Sequence, residues 1–259
     1  MKQRTITGII LAIIAALGIL IDISIFKALL YIIVAIACHE IYHLKENNYS
    51  IITPILMFLM VFVSTFVDSG YMIIAISIYF ILMVLISLID ERLTLNDVTQ
   101  NFTFGILLAY ALKGAIGIYG SAGRWAIVWI FVANFATDIG AYYVGSLIGK
   151  HKLIERISPK KTIEGAIGGW LSGFVFGTGF GYFVLSQYLS MPFIVWSSAL
   201  IPVTAQMGDL FFSMIKRKYN IKDFGRIFPG HGGVLDRIDS IIFSLFAIQT
   251  LITIWSLLQ

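Results

Sequence analysis

Apolar residues in this chain run in long stretches separated by short polar breaks. Nine stretches stand out: Thr5 to Ile21, Ile23 to Cys38, Ile51 to Val67, Tyr71 to Ile89, Phe102 to Tyr119, Trp125 to Ile148, Gly165 to Tyr188, Phe193 to Ile215 and Ile238 to Leu258. At about 1.5 Å of rise per residue these lengths are comparable with a hydrocarbon core about 30 Å thick. Backbone groups in lipid must be satisfied within the segment, so the runs are expected as helices, and the alternation of barrel strands is absent. The expected fold class is all-α, a polytopic membrane protein of about nine transmembrane helices. The first run follows Met1-Lys2-Gln3-Arg4 and has the outline of a signal peptide, but no clear small-residue cleavage site follows it. We therefore read runs one and two as a retained helical hairpin.

Charge gives the orientation. With the N terminus cytoplasmic and the nine runs alternating, fifteen of the eighteen Lys and Arg fall on the cytoplasmic side, as the positive-inside tendency requires. Only Lys27 and Arg124 fall outside, and Lys113 lies within the fifth run. The outer turns, such as Asp68-Ser69-Gly70 and Ser190-Met191-Pro192, leave no room for an external domain. The two long cytoplasmic loops, 149–164 and 216–237, are where chemistry is expected. Residues 1–100 are read as N-terminal membrane helices and 101–259 as the catalytic half.

Composition narrows the class. The chain has 259 residues, of which 59% are hydrophobic and 12% charged, and a mean hydropathy of +0.91, which excludes a water-soluble globular enzyme. A net charge of +4 does not imply nucleic acid. One cysteine, Cys38, excludes an internal disulfide framework and any cysteine-based zinc site. His39 and His43 are spaced i, i+4 and could bind metal, and His39-Glu40-Ile41-Tyr42-His43 has the letters of the HExxH zinc motif, but a zinc site is the minor reading in this chain.

Two aspartates, Asp138 and Asp209, sit inside expected membrane helices, about seven residues or roughly 10 Å from the cytoplasmic end. Such residues cost about 2.5–3.5 kcal/mol at a helix centre, so they are expected to face the bundle interior and mark function, with a salt bridge or polar packing contact as the alternative. Helical spacing joins Asn134, Asp138 and Tyr142 in one stripe and Asp209, Ser213 and Lys216 in another. The ninth run opens with Asp236-Arg237-Ile238-Asp239, two carboxylates at i and i+3 that suit either Mg²⁺ beside phosphates or helix capping. Before it comes Phe228-Pro229-Gly230-His231-Gly232-Gly233, whose glycines permit close backbone approach to a ligand. Ser158-Pro159-Lys160-Lys161-Thr162 is a second basic cluster, equally readable as phosphate binding or a plain loop. Gly165, Gly169, Gly173 and Gly177 are expected to mediate close helix packing.

The stretch from Ser213 to Asp239 resembles the signature of the phosphatidate cytidylyltransferase (CDP-diacylglycerol synthase) family. Ser213, Lys216, Arg217, Lys222, Asp223, Gly225, His231, Gly232, Gly233, Asp236, Arg237 and Asp239 occupy its positions, and the likeness extends to SPKKTIEGAIGG and the Asp138 run. The resemblance implies transfer of the cytidylyl group of CTP to phosphatidate, giving CDP-diacylglycerol and pyrophosphate for phospholipid synthesis. It further implies Mg²⁺, a monovalent cation such as K⁺, a bacterial cytoplasmic membrane with the active site facing the cytoplasm, and a homodimer. Carried onto this chain, it makes Asp209 and Asp236 metal ligands, with Asp239 and Asp138 as further ligands or holders of metal-bound water and Ser213 completing the shell. Lys216, Arg217, Lys222 and Arg237 would engage the triphosphate and lipid phosphate, with Lys216, Arg237, Asp236 and Asp239 as the catalytic group. Asp223, His231, Gly232 and Gly233 would contact substrate, and Lys160 and Lys161 would close over it. The rival reading is a transporter, against which stands the lack of ionisable residues in the outer half.

Overall fold

The computed structural model describes residues 2–45 and 50–257. Its helices are α1 (Lys2–Leu20), α2 (Ile23–Tyr42), α3 (Ile52–Ser64), α4 (Met72–Ile89), α5 (Leu95–Ala122), α6 (Arg124–Ile148), α7 (Ile163–Phe180), α8 (Met191–Lys218) and α9 (Leu235–Leu257). Each expected run is met by a helix; Met1 and Leu258 lie outside the described residues. Among the described residues, seven helices are long and apolar enough to cross a membrane, α7 being counted with the π-helical turn Gly181–Leu185 that continues it. The apolar part of α1, Ile10–Leu20, and α3 are shorter. Large side chains such as Ile73, Leu88, Leu147 and Phe183 are exposed on the helices, as expected of faces that meet lipid tails.

Local chemistry sets the helix ends. Asp22 caps α2 by accepting from Ser24 N at 2.5 Å. Thr94 and Asp97 form a reciprocal capping box at α5, with Thr94 N donating to Asp97 Oδ2 at 2.8 Å and Asp97 N to Thr94 Oγ1 at 3.4 Å. Thr162 caps α7 by accepting from Gly165 N at 3.1 Å. At the end of α8, Ile221 N donates to Lys216 O and Asn220 N to Arg217 O, with Asn220 at φ 53°. That is a Schellman turn, in which asparagine takes the left-handed position.

By packing, the chain forms two compact units, residues 1–116 with 223–237 and residues 117–222 with 238–259. The expected boundary near residue 100 divides the chain differently, because the loop before α9 belongs to the first unit. Within that unit Lys113 donates to Ser64 O at 3.1 Å and to Val67 O, carbonyls at the end of α3. These orphan carbonyls explain how a lysine is tolerated inside a membrane helix.

In the second unit α6 and α7 pack along glycines. A Cβ at Gly169 would lie 2.8 Å from Thr137 O, and one at Gly173 would lie 2.1 Å from Thr137 Oγ1. The small-residue packing expected of this stretch is thus present. Loop 149–164 is an antiparallel hairpin of β1 (Lys152–Ile154) and β2 (Ser158–Thr162). Glu164 ties its base to α7, accepting from Lys150 N at 3.1 Å and approaching His151 Nδ1 at 2.6 Å.

Candidate active site

In the second unit the site is built on α8 and α9. Gly208 is buried on α8, and a Cβ there would lie 2.6 Å from Asp239 O and 3.0 Å from Phe243 Cβ. The missing side chain lets the two backbones meet, placing Asp209 beside the first turns of α9. Asp239 is only 9% exposed and lies within electrostatic reach of Asp209, Asp138 and Lys216. Its Oδ1 accepts from Ser240 N at 2.7 Å. Lys161, carried by β2, forms an ion pair with Asp209 Oδ2, and Ser213 Oγ donates to Asp209 Oδ1 at 3.3 Å. Within the Asp209, Ser213, Lys216 stripe, Asp209 and Ser213 are hydrogen-bonded, while Lys216 is buried and within electrostatic reach of Asp239.

The α6 stripe divides. Asn134 is buried and accepts from Ser244 Oγ of α9 at 3.0 Å, whereas Asp138 and Tyr142 are exposed. Asp138 thus does not pack into the interior as expected, although its charge is felt at Asp239. Both aspartates lie deeper than the roughly 10 Å expected: α6 ends at Ile148 as expected, ten residues beyond Asp138, and α8 passes the expected Ile215 to end nine beyond Asp209, roughly 14–15 Å of rise.

Arg217 reaches Ile157 O of the hairpin turn at 3.4 Å and Ile221 O at 3.5 Å, so its guanidinium joins the hairpin to the end of α8. Lys160, Lys222, Asp223 and Arg237 are exposed. The carboxylates are hard oxygen donors, the chemistry that Mg²⁺ prefers, and Asp209 is already oriented toward a cationic partner in Lys161. Among the described residues, no three His, Cys, Asp or Glu side chains are gathered closely enough to hold a metal ion.

In the first unit the loop before α9 is shaped by its glycines. Phe228 to His231 make a type II turn, with Pro229 leading, Gly230 at φ 77° and His231 N donating to Phe228 O at 2.8 Å. Gly232, at φ 84°, closes the loop back on Phe228. The close approach these glycines permit is to the protein's own carboxylates. Asp236 Oδ2 accepts from Phe224 N at 2.7 Å and Gly233 N at 3.0 Å. A ligand role for Asp236 would have to coexist with these bonds. His231 Nδ1 is buried with no hydrogen-bond partner among the described residues.

Sequence reasoning missed Glu40. It is 3% exposed on α2 and accepts from Val234 N at 2.8 Å and Leu235 N at 2.9 Å. The apolar run was expected to stop at Cys38, but α2 continues to Tyr42 and carries Glu40 within it. A carboxylate one turn from an apolar run was the available signal.

The model of the cytidylyltransferase family matches residues 2–255. A phosphatidate cytidylyltransferase of Bacillus subtilis is 31% identical over 270 aligned positions, covering 99% of each chain. One from Staphylococcus haemolyticus is 32% identical over 255 positions, 95% of this chain and 96% of that one. One from Helicobacter pylori is 43% identical over 136 positions, about half of each. With residues 2–255 matched by the family model and a relative 31% identical across 99% of the chain, this protein belongs to the cytidylyltransferase family.

Proposed function

We propose that this chain is a phosphatidate cytidylyltransferase, transferring the cytidylyl group of CTP to phosphatidate with release of pyrophosphate. Beyond family membership, the observation that carries this reading is the cluster of Asp209, Asp239, Asp138 and Lys216 on apolar helices with Lys161 of the hairpin, a group of opposite charges. It suits a polyphosphate that arrives from water and a lipid that stays in the bilayer.

The reaction needs no activated side-chain nucleophile. An ionised phosphate oxygen of phosphatidate attacks the α-phosphorus of CTP, a new P–O bond forms, the bond to the β-phosphate breaks, and its electron pair leaves with pyrophosphate. Catalysis is then positioning plus neutralisation of charge. Asp209 and Asp239 would offer oxygen ligands to Mg²⁺, with substrate phosphates completing its shell, and the ion would supply charge neutralisation there; the signature adds Asp236 and Asp138 as further ligands or holders of metal-bound water. K⁺ is proposed as a second cation. Lys161 and Lys216 present ammonium groups to the phosphates, Ser213 holds Asp209, and Arg217 steadies the hairpin that carries Lys161. Lys160, Lys222 and Arg237, all exposed, draw the anionic substrates in, while His231, Gly232, Gly233 and Asp223 shape the loop before α9.

We further propose that all nine helices cross a bacterial cytoplasmic membrane, with the N terminus and the site on the cytoplasmic side and the chain paired as a homodimer. The distribution of Lys and Arg supports the orientation. The test is pyrophosphate release by detergent-purified protein given Mg²⁺ and CTP, with and without phosphatidate. Release that requires both substrates is expected; release with CTP alone, or none from folded protein, would overturn the reading.

A further inference from the structure

Residues 1–100 carry none of the family signature, yet one of their side chains grips the segment that does. Both carboxylate oxygens of Glu40 are used: Oε1 accepts from Val234 N and Oε2 from Leu235 N, at the first turn of α9. These are N–H groups that a helix start leaves without an intrahelical partner. A cap of this kind ordinarily comes from the residue just before the helix; here it comes from a helix 194 residues away in sequence. The loop is shaped to admit it. A Cβ at either Gly225 or Gly233 would lie 2.4 Å from Glu40 Oε1, so both positions must lack a side chain for the carboxylate to enter. Asp236 completes the arrangement by binding Phe224 N and Gly233 N. Glu40 and Asp236 together hold four backbone N–H groups of one short loop.

We propose that Glu40 is a positioning residue for the transferase reaction, fixing the first turn of α9, which carries Asp236 and Asp239, and the loop before it. This rests on the functional reading above. Glu40 does not touch substrate. It acts by taking conformational freedom from the turn, so that its carboxylates stand in one orientation when phosphates arrive. A buried charge accepting backbone hydrogen bonds is suited to that task, because its geometry is enforced by the cost of leaving it unpaired.

The experiment uses the full chain in detergent as wild type, Glu40→Gln and Gly225→Ala. The second variant keeps every charge and pushes a methyl group into the carboxylate. Hydrogen exchange is read over residues 224–237, and kcat, KM for CTP and the Mg²⁺ concentration for half-maximal rate are measured on folded protein. In both variants amide exchange in 224–237 should rise at least tenfold with exchange elsewhere unchanged. kcat should fall at least tenfold, KM should change less than about threefold, and half-maximal Mg²⁺ should rise. Unchanged exchange in both variants would overturn the clamp. Faster exchange with wild-type kcat and Mg²⁺ dependence would leave Glu40 structural and overturn its positioning role. An inactive wild type defeats the functional reading instead, and the exchange data still decide whether Glu40 holds the loop.

Discussion

Glu40 and Asp236 in the first unit and Asp209 and Asp239 in the second are all buried or half-buried carboxylates, and the two pairs are satisfied in opposite ways. In the first, Glu40 and Asp236 are satisfied by backbone N–H groups at 2.7–3.0 Å. In the second, Asp209 and Asp239 face one another's charge with the side-chain cations Lys161 and Lys216 beside them, and Asp239 takes one backbone N–H, that of the adjacent Ser240. Backbone donors cannot leave, so the first pair is committed to holding a loop. An ammonium on a flexible stem can exchange one anion for another, so the second pair can respond to an arriving phosphate or cation. Asp236 and Asp239 show the contrast within a single helical turn, at nearly equal exposure of 8% and 9%.

Neutralising each of these two separates the classes most sharply. Asp239→Asn should reduce kcat/KM by about 10²-fold or more, while thermal stability holds or rises because a repelling charge leaves the cluster. Asp236→Asn keeps the shape but weakens the acceptor of two buried N–H groups, and should cost about 1–3 kcal/mol in stability. The signature also predicts that it abolishes turnover in folded, extractable protein. Parallel melts and pyrophosphate-release assays check the pair. Equal stability losses in the two variants would collapse the distinction.

The scaffold under the second pair is tested by Gly169→Ala. The added Cβ would sit 2.8 Å from the Thr137 carbonyl and 2.9 Å from Ala141 Cβ, neither of which is a flexible chain end, so α6 and α7 must part. A cost of about 1–3 kcal/mol is expected. It should appear as a lowered Tm, with activity per folded molecule changing less than in Asp239→Asn. A variant as stable as wild type would show that the helices yield cheaply.

The sequence and the structure agree where one physical rule decides the outcome, and part where partners decide it. Span length and the cost of unsatisfied backbone in lipid announce the helices, seven of which, among the described residues, are long and apolar enough to cross a membrane, and four-residue glycine spacing announces the α6–α7 contact. Ser213 and Lys216 were readable from Asp209 by helical period alone. Glu40 was not, because its burial depends on a loop nearly 200 residues away and the apolar run hid the last turn of α2. Asp138 was expected inside because intramembrane charge is costly, yet it lies on an exposed face of its helix. The hairpin that brings Lys161 to Asp209 contains Ser-Pro-Lys-Lys, poor strand formers, and owes its form to Glu164 at its base and Arg217 at its turn.

Lys161→Ala probes whether the second unit's cations are exchangeable. A lysine that moves from Asp209 to substrate should leave a KM for CTP or phosphatidate raised by roughly tenfold, about 1.4 kcal/mol, with Tm little changed because the pair is about 30% exposed on each side. Unchanged kinetics would return the hairpin to a topological role.

The smallest effect concerns a carboxylate of neither class. Asp90, just after α4, accepts from Arg92 Nε at 2.8 Å and Nη2 at 2.9 Å and from Ser50 N at 2.7 Å. These hydrogen bonds, Arg92's foremost, hold its pKa at about 2, below the ordinary 3.8. A depressed folded-state pKa means the ionised form favours folding: the contribution is complete above the unfolded pKa of about 4 and fades as pH falls through about 2. Asp90→Asn should therefore melt slightly below wild type at neutral pH, and the gap should close by pH 2. The Arg92 side chain is 61% exposed, so salt should narrow the gap as well. A gap that survived acid and salt would mean that Asp90 acts through its neutral hydrogen bond to Ser50, as a loop tie independent of charge.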